Sequence, residues 1–182
     1  MIPVAFDYVR PGSVDEAVAA LTAGGEDAKV LAGGQSLLPV LRLRLGAPSV
    51  VVDCSRIDEM SGISETDDAV TIGASTTHHA VMTDARVKAG VPLLALATAT
   101  VADPAIRHRG TLGGALAHAD PAGDLPAVAL ALDASFTIAG PGGRRTVSAG
   151  DFFEDYFTTA VRPEEVLVSV TSPKRGDGWG YH

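Results

Sequence analysis

Two short glycine pairs constrain this chain more than any other feature. The first lies in Ala32-Gly33-Gly34-Gln35-Ser36, the second in Thr111-Leu112-Gly113-Gly114-Ala115. Glycine lacks Cβ and accepts positive φ, so paired glycines mark places where backbone closely approaches another surface and amide N–H groups can converge. Gln35, Ser36 and Thr111 set hydrogen-bonding side chains beside the pairs. The second stretch runs on through Ala117-His118-Ala119-Asp120-Pro121-Ala122-Gly123-Asp124-Leu125-Pro126, placing two carboxylates ahead of an apolar helix.

Residues 1–56 alternate between extended and helical signals. Phe6 to Val9 reads as a short strand stopped by Pro11-Gly12. Ser13-Val14-Asp15-Glu16 is a capping box, and Val14, Ala17, Val18 and Leu21 give the following helix one apolar face. Lys29 to Ala32 is a strand that leads into Gly33-Gly34. Ser36 is placed to cap a second helix whose apolar positions are Leu37, Leu38, Val40, Leu41 and Leu45. Ser49-Val50-Val51-Val52-Asp53 is a continuous apolar strand of the kind buried on both faces. The order strand, helix, strand, helix, strand predicts a small parallel sheet with covering helices.

The pattern changes over 57–173. Residues 63–74 read as a hairpin around an acidic turn. Thr76 or Thr77 starts a helix, and a second, with Pro92 in its first turn, is apolar nearly all round and predicted to be buried. After Asp103-Pro104 and the Gly113-Gly114 loop come a helix over 125–132, a strand over 135–139, a Gly140-Pro141-Gly142-Gly143 hairpin turn and a closing strand over 165–170. The fold class expected is α+β in two lobes, 1–56 and 57–173, with 174–182 as a linker.

Composition excludes several functions. The net charge is −8 and aromatic residues make up 5%, so the chain has neither a basic surface for nucleic-acid phosphates nor platforms for base stacking. One cysteine, Cys54, cannot form an internal disulfide or hold an iron–sulfur cluster, and a cytoplasmic chain without a signal peptide is expected. The apolar window 91–102 is too short to span a bilayer. His78-His79 do not form an i, i+4 metal pair, and no other histidine spacing matches a ligand set, so no metal site is expected. The nucleophile elbow, P-loop and G-x-G-x-x-G patterns are absent.

What remains is anion binding by backbone. Gly33 to Ser36 lies between a strand and a helix start, where free amides and the helix dipole favour a phosphate. Thr111 can donate to a phosphate or flavin oxygen, and Gly113-Gly114 lets backbone lie against a flat ligand. Asp124 either accepts from a sugar or ribityl hydroxyl or caps the helix after it. Arg107 and Arg109 flank the approach to this loop, and Cys54 reads as inert packing.

Taken together, Ala32-Gly33-Gly34-Gln35-Ser36, Ile72-Gly73-Ala74-Ser75-Thr76-Thr77-His78, Ile106-Arg107-His108-Arg109-Gly110-Thr111-Leu112-Gly113-Gly114 and the segment 117–126 resemble, in order and spacing, the FAD-binding medium subunit of molybdenum hydroxylases. The likeness is greatest to the aerobic carbon monoxide dehydrogenase and xanthine dehydrogenase relatives. It implies a two-lobed PCMH-type FAD-binding fold, a small parallel lobe followed by a larger, mainly antiparallel one, with FAD in the cleft between them. It also implies that Ala32, Gly33, Gly34, Gln35, Ser36, Thr111, Gly113 and Gly114 hold the pyrophosphate and flavin edge, that Asp124 holds a cofactor hydroxyl and that Leu167 packs near the ring system. No residue of this chain is expected to be catalytic.

By the same resemblance, electrons pass from a molybdenum-cofactor large subunit through a [2Fe–2S] small subunit to the FAD, and on to an external acceptor. Two departures stand out. Family members continue into a third, C-terminal domain that is expected to be absent from this chain, which stops at His182, and several carry a polar residue where this chain has Ala115. The alternative is a truncated, non-catalytic interaction domain with little or no FAD binding. A flavin oxidoreductase acting alone is disfavoured, since no residue stands out as a substrate acid or base.

Overall fold

A computed structural model of the chain describes residues 2–176 and 178–181. Strand β1 (Asp7–Val9) is followed by helix α1 (Val14–Gly24), β2 (Ala28–Leu31), α2 (Leu37–Arg42) and β3 (Val50–Asp53). The three strands form one parallel sheet in the order β1-β3-β2. The central strand has Val51 and Val52 fully enclosed, as expected for an apolar strand with a neighbour on each side. The capping box forms: Ser13 Oγ accepts the Glu16 amide, while Glu16 reaches back to the Gly12 N–H rather than to Ser13 itself.

Helix α2 is shorter than its apolar pattern suggested, and Ser36 does not cap it. Ser36 has helical backbone angles and its hydroxyl makes no capping bond. Leu45 lies beyond the helix and is 76% exposed.

The second lobe holds β4 (Ile63–Glu65), β5 (Ala69–Gly73), α3 (His78–Thr83), α4 (Ala85–Gly90), α5 (Pro92–Thr100), α6 (Pro104–Arg107), α7 (Leu112–His118) and α8 (Asp124–Ala131). After these come β6 (Ser135–Gly140), β7 (Gly143–Ser148), α9 (Ala149–Phe152), β8 (Phe153–Asp155), β9 (Thr158–Thr159) and β10 (Val166–Pro173). The main sheet has five strands in the order β4-β5-β10-β6-β7, antiparallel throughout, and β8 with β9 makes a separate hairpin.

Thr77 is the cap of α3, its Oγ1 accepting the Ala80 amide. The second glycine pair is no loop. Thr111 caps α7 by accepting the Gly114 amide, which places Gly113 and Gly114 in the first helical turn. Helix α5 is buried on one side only: Leu94, Ala95 and Thr98 face inward while Leu96 is 54% exposed.

Residues 174 and 175, expected within a linker, are tied to the second lobe. The Lys174 amide donates to Asp68 and the Arg175 amide to Gly90, and Arg175 pairs with Asp133 at 2.6 Å.

The two sheets share one core. Helix α1 packs on β2 and β3 of the small sheet and on β6 and β10 of the large one, and its Val14, Val18 and Leu21 belong to the same apolar cluster as Phe136 and Val166. Polar joints add to this, with Ser75 Oγ donating to the Cys54 carbonyl at 3.1 Å and Thr76 Oγ1 bonding to both the amide and the carbonyl of Gly62. A core shared in this way makes the lobes unfold together. Leu21→Ala is expected to lower stability by about 2–5 kcal/mol within a single urea transition followed by circular dichroism. Two separate transitions would contradict the shared core.

Candidate functional site

The two glycine segments meet. A Cβ on Gly33 would stand 2.2 Å from the Arg109 carbonyl oxygen and 2.7 Å from Gly110 Cα, so only glycine permits this contact between the lobes. Gly34 has φ +73°, which turns the chain from β2 into α2. Beside this contact opens a cleft of about 620 Å³, within the range of about 300–1,000 Å³ usual for small-molecule sites. Residues 32–37 form one wall and Thr111, Gly114, Ala115 and His118 the opposite one.

Among the described residues, the amides of Gly33, Gly34, Gln35 and Ser36 donate to no protein acceptor, and neither does the Ser36 hydroxyl. Gln35 folds its side-chain amide back onto the Gly33 carbonyl at 3.0 Å, which stiffens the turn. Thr111 Oγ1 accepts from Gly114 and keeps its own proton to donate. The result is a concave array of donors on a chain of net charge −8, the arrangement that binds an anion without a basic cluster.

The remaining wall was not anticipated from sequence. Phe157, Thr158, Thr159, Val161, Arg162 and Pro163 line the cleft. Phe157 is anchored through its amide to the Ala119 carbonyl at the end of α7, with its ring against His118. Further along, Arg145 on β7 and Glu165 hold the turn. Arg145 donates to both Glu165 oxygens, at 3.0 and 2.7 Å, and to the Ala160 carbonyl, while Glu165 accepts the Arg162 amide. Glu165 is 7% exposed; its hydrogen bonds from Arg145 and the Arg162 amide outweigh burial and hold its carboxyl below the usual range. No local pattern in 153–163 marks it as a wall, because distant partners fix it there, the Ala119 carbonyl and the Arg145–Glu165 pair among them.

Of the expected site residues, Ala32, Gly33, Gly34, Gln35, Ser36, Thr111 and Gly114 line the cleft. Gly113, Asp124 and Leu167 are not among the residues that line it. Gly113 spends its amide on the Ala74 carbonyl, and a Cβ there would stand 2.3 Å from that of Ala74, so its bareness serves helix-on-strand packing. Asp124 is exposed in the first turn of α8, whose cap is Gly123. Leu167 is buried in the core on β10. Arg107 is committed elsewhere, donating to the Val101 and Ala102 carbonyls at the end of α5. Cys54 is enclosed, and burial pushes its thiol up to about 12, which leaves it unreactive. No cluster of three or more His, Cys, Asp or Glu side chains with metal-binding geometry occurs among the described residues, and no helix among them is long and apolar enough to cross a membrane.

His78, read from sequence for metal binding and as the end of the segment 72–78 that carries the resemblance, stands at the cleft. It is 3% exposed, and burial, with the Arg107 charge nearby, lowers its pKa to about 4.

A three-stranded parallel lobe on a five-stranded antiparallel lobe is the architecture of the FAD-binding domains of molybdenum hydroxylases. The family described as "FAD binding domain in molybdopterin dehydrogenase" matches residues 4–175, and the chain belongs to it. It is 46% identical to the carbon monoxide dehydrogenase medium chain of Hydrogenophaga pseudoflava, over 100% of this chain and 64% of that one. The solved carbon monoxide dehydrogenase from that organism, in a form lacking the Mo-pyranopterin moiety, superposes with a TM-score of 0.96 over 98% of this chain and 62% of that one. Quinoline 2-oxidoreductase from Pseudomonas putida 86, at 42% identity, gives 0.93 over 96% and 61%. The chain thus spans under two thirds of the length of these relatives.

The buried neutral imidazole gives a pH test. The unfolded chain takes up the His78 proton below about 6.5, whereas the folded chain resists it until about 4. Stability is therefore full above the unfolded value and falls as the pH drops between the two. Thermal melts from pH 7 to 4 are expected to show His78→Gln losing less stability over this window than the native chain. Parallel curves would contradict the buried neutral imidazole.

Proposed function

We propose that the cleft binds FAD and that the chain acts as the FAD-binding part of an electron-transfer subunit in a molybdenum hydroxylase. The observation that carries this reading is the run of four unbonded amides at 33–36, facing Thr111 and Gly114 across a gap that two lobes hold open. A pyrophosphate offers acceptors to such donors and no protons that need a base. Bound FAD would supply two-electron and one-electron chemistry.

The residues of this chain bind and orient. Gly33 to Ser36 give backbone and hydroxyl donors to the phosphates, Thr111 adds a hydroxyl from the opposite lobe, and Gly114 leaves room beside it. Phe157 to Pro163, held by Arg145 and Glu165, limit the cleft on that side. The amides that remain for an anion are those of the turn into α2, since the first amides of α7 are bonded to Thr76, Ala74 and Thr111.

Family membership and the similarity to carbon monoxide dehydrogenase medium chains support a place in an assembly. On this reading a [2Fe–2S] small subunit delivers electrons that originate at a molybdenum-cofactor large subunit. An external acceptor then receives them, and the whole works in the cytoplasm. The substrate oxidised would be selected by the large subunit.

Added FAD is expected to stay with the purified chain through gel filtration, with its absorption bands perturbed and its fluorescence quenched. Ser36→Ala is expected to weaken FAD about two- to tenfold, the loss of one neutral hydrogen bond. A chain that takes up no flavin in titration refutes the reading.

A further inference from the structure

His78 is set behind the cleft by backbone pairing. Its amide donates to the Gly110 carbonyl at 2.9 Å, and Thr77 bridges Thr111. The ring lies against Gly110: a Cβ at that glycine would stand 2.9 Å from His78 Cδ2 and 3.2 Å from Nε2. Any other residue at position 110 would press its side chain onto the imidazole edge, and both residues line the cleft. The ring is nearly enclosed at 3% exposure. Its Nδ1 is buried without a hydrogen-bond partner, and no side-chain hydrogen bond of His78 occurs among the described residues. A leucine or phenylalanine would fill this space without leaving nitrogens unpaired.

We propose that His78 is a binding residue of the cleft, its neutral imidazole donating the Nε2–H beside Gly110 to a phosphate oxygen of the bound dinucleotide. This rests on the FAD reading above and adds a donor that the glycine segments do not supply. A neutral ring suits the position. It gives one directional hydrogen bond and needs no counter-charge when the cleft is empty, whereas an imidazolium there would face Arg107. The contact selects for the diphosphate, so it is shared by any ligand that carries one and is indifferent to the flavin ring.

The test uses the full chain with three probes: FAD and ADP, which carry the diphosphate, and riboflavin, which lacks it. His78→Phe keeps volume and removes both nitrogens, and His78→Gln keeps a donor. The Phe variant is expected to weaken FAD and ADP about tenfold, with Gln within about threefold of the native chain. Riboflavin binding stays unchanged. In the native chain labelled with ¹⁵N-histidine, the ring nitrogens of His78, identified by their absence in His78→Gln, are expected to shift on saturation with ADP. This reading holds even if the Phe variant fails to fold. Native-like ADP affinity in a folded Phe variant, or ring nitrogens unmoved by ADP, overturns the assignment and leaves the cleft reading standing. A native chain that binds neither FAD nor ADP overturns both.

Discussion

Everything at the cleft depends on the contact between Gly33 and the backbone of Arg109 and Gly110. Two peptide segments from different lobes approach to a distance at which no side chain fits. Because backbone touches backbone, the turn after β2 and the cap of α7 are fixed relative to each other without flexible side chains between them. The donors they carry inherit that rigidity. A serine or alanine at position 33 would force the segments apart and move the two sets of donors out of register, so the glycine acts on geometry first and on any ligand only through it.

A second consequence concerns charge. The chain has a net charge of −8; of the two arginines ahead of the second glycine segment, Arg107 is spent on the carbonyls ending α5, while Lys29 and Arg162 are among the residues that line the cleft. With so few cations at the cleft, much of the attraction for an anion would come from amides and hydroxyls, whose partial charges act only at close range. That makes placement decisive. It explains why so much structure is devoted to holding the walls, from the core shared through α1 to the Arg145–Glu165 pair that pins the far turn. His78 belongs to the same economy: a neutral ring placed by backbone pairing rather than a mobile cation.

The correspondence with relatives is close over the residues present. A TM-score of 0.96 against the Hydrogenophaga pseudoflava structure means that the lobes, their order and their junction agree. The cleft lies at that junction, between α2, the start of α7 and the 157–163 turn.

Much of this was legible in the sequence. The alternating signals over 1–56 determined the parallel sheet, because a buried central strand and capped amphipathic helices are written locally in Val50 to Val52 and in Ser13 to Glu16. The family resemblance carried by the glycine segments likewise implied ten site residues, of which seven line the cleft. What failed was local reading of residues whose job depends on a distant neighbour. Ser36 looked like a cap and is a free hydroxyl, and Gly113 looked like ligand-facing backbone but makes room for Ala74. The 157–163 wall had no signal at all. Sequence alone determined the elements and the capacity for close backbone approach, since propensity, capping and the missing Cβ are properties of single residues and short windows. Only the tertiary structure decided which glycine faces the cleft, which faces a strand, and that His78 stands with unpaired nitrogens behind Gly110, because those depend on what the chain brings back from thirty to eighty residues away.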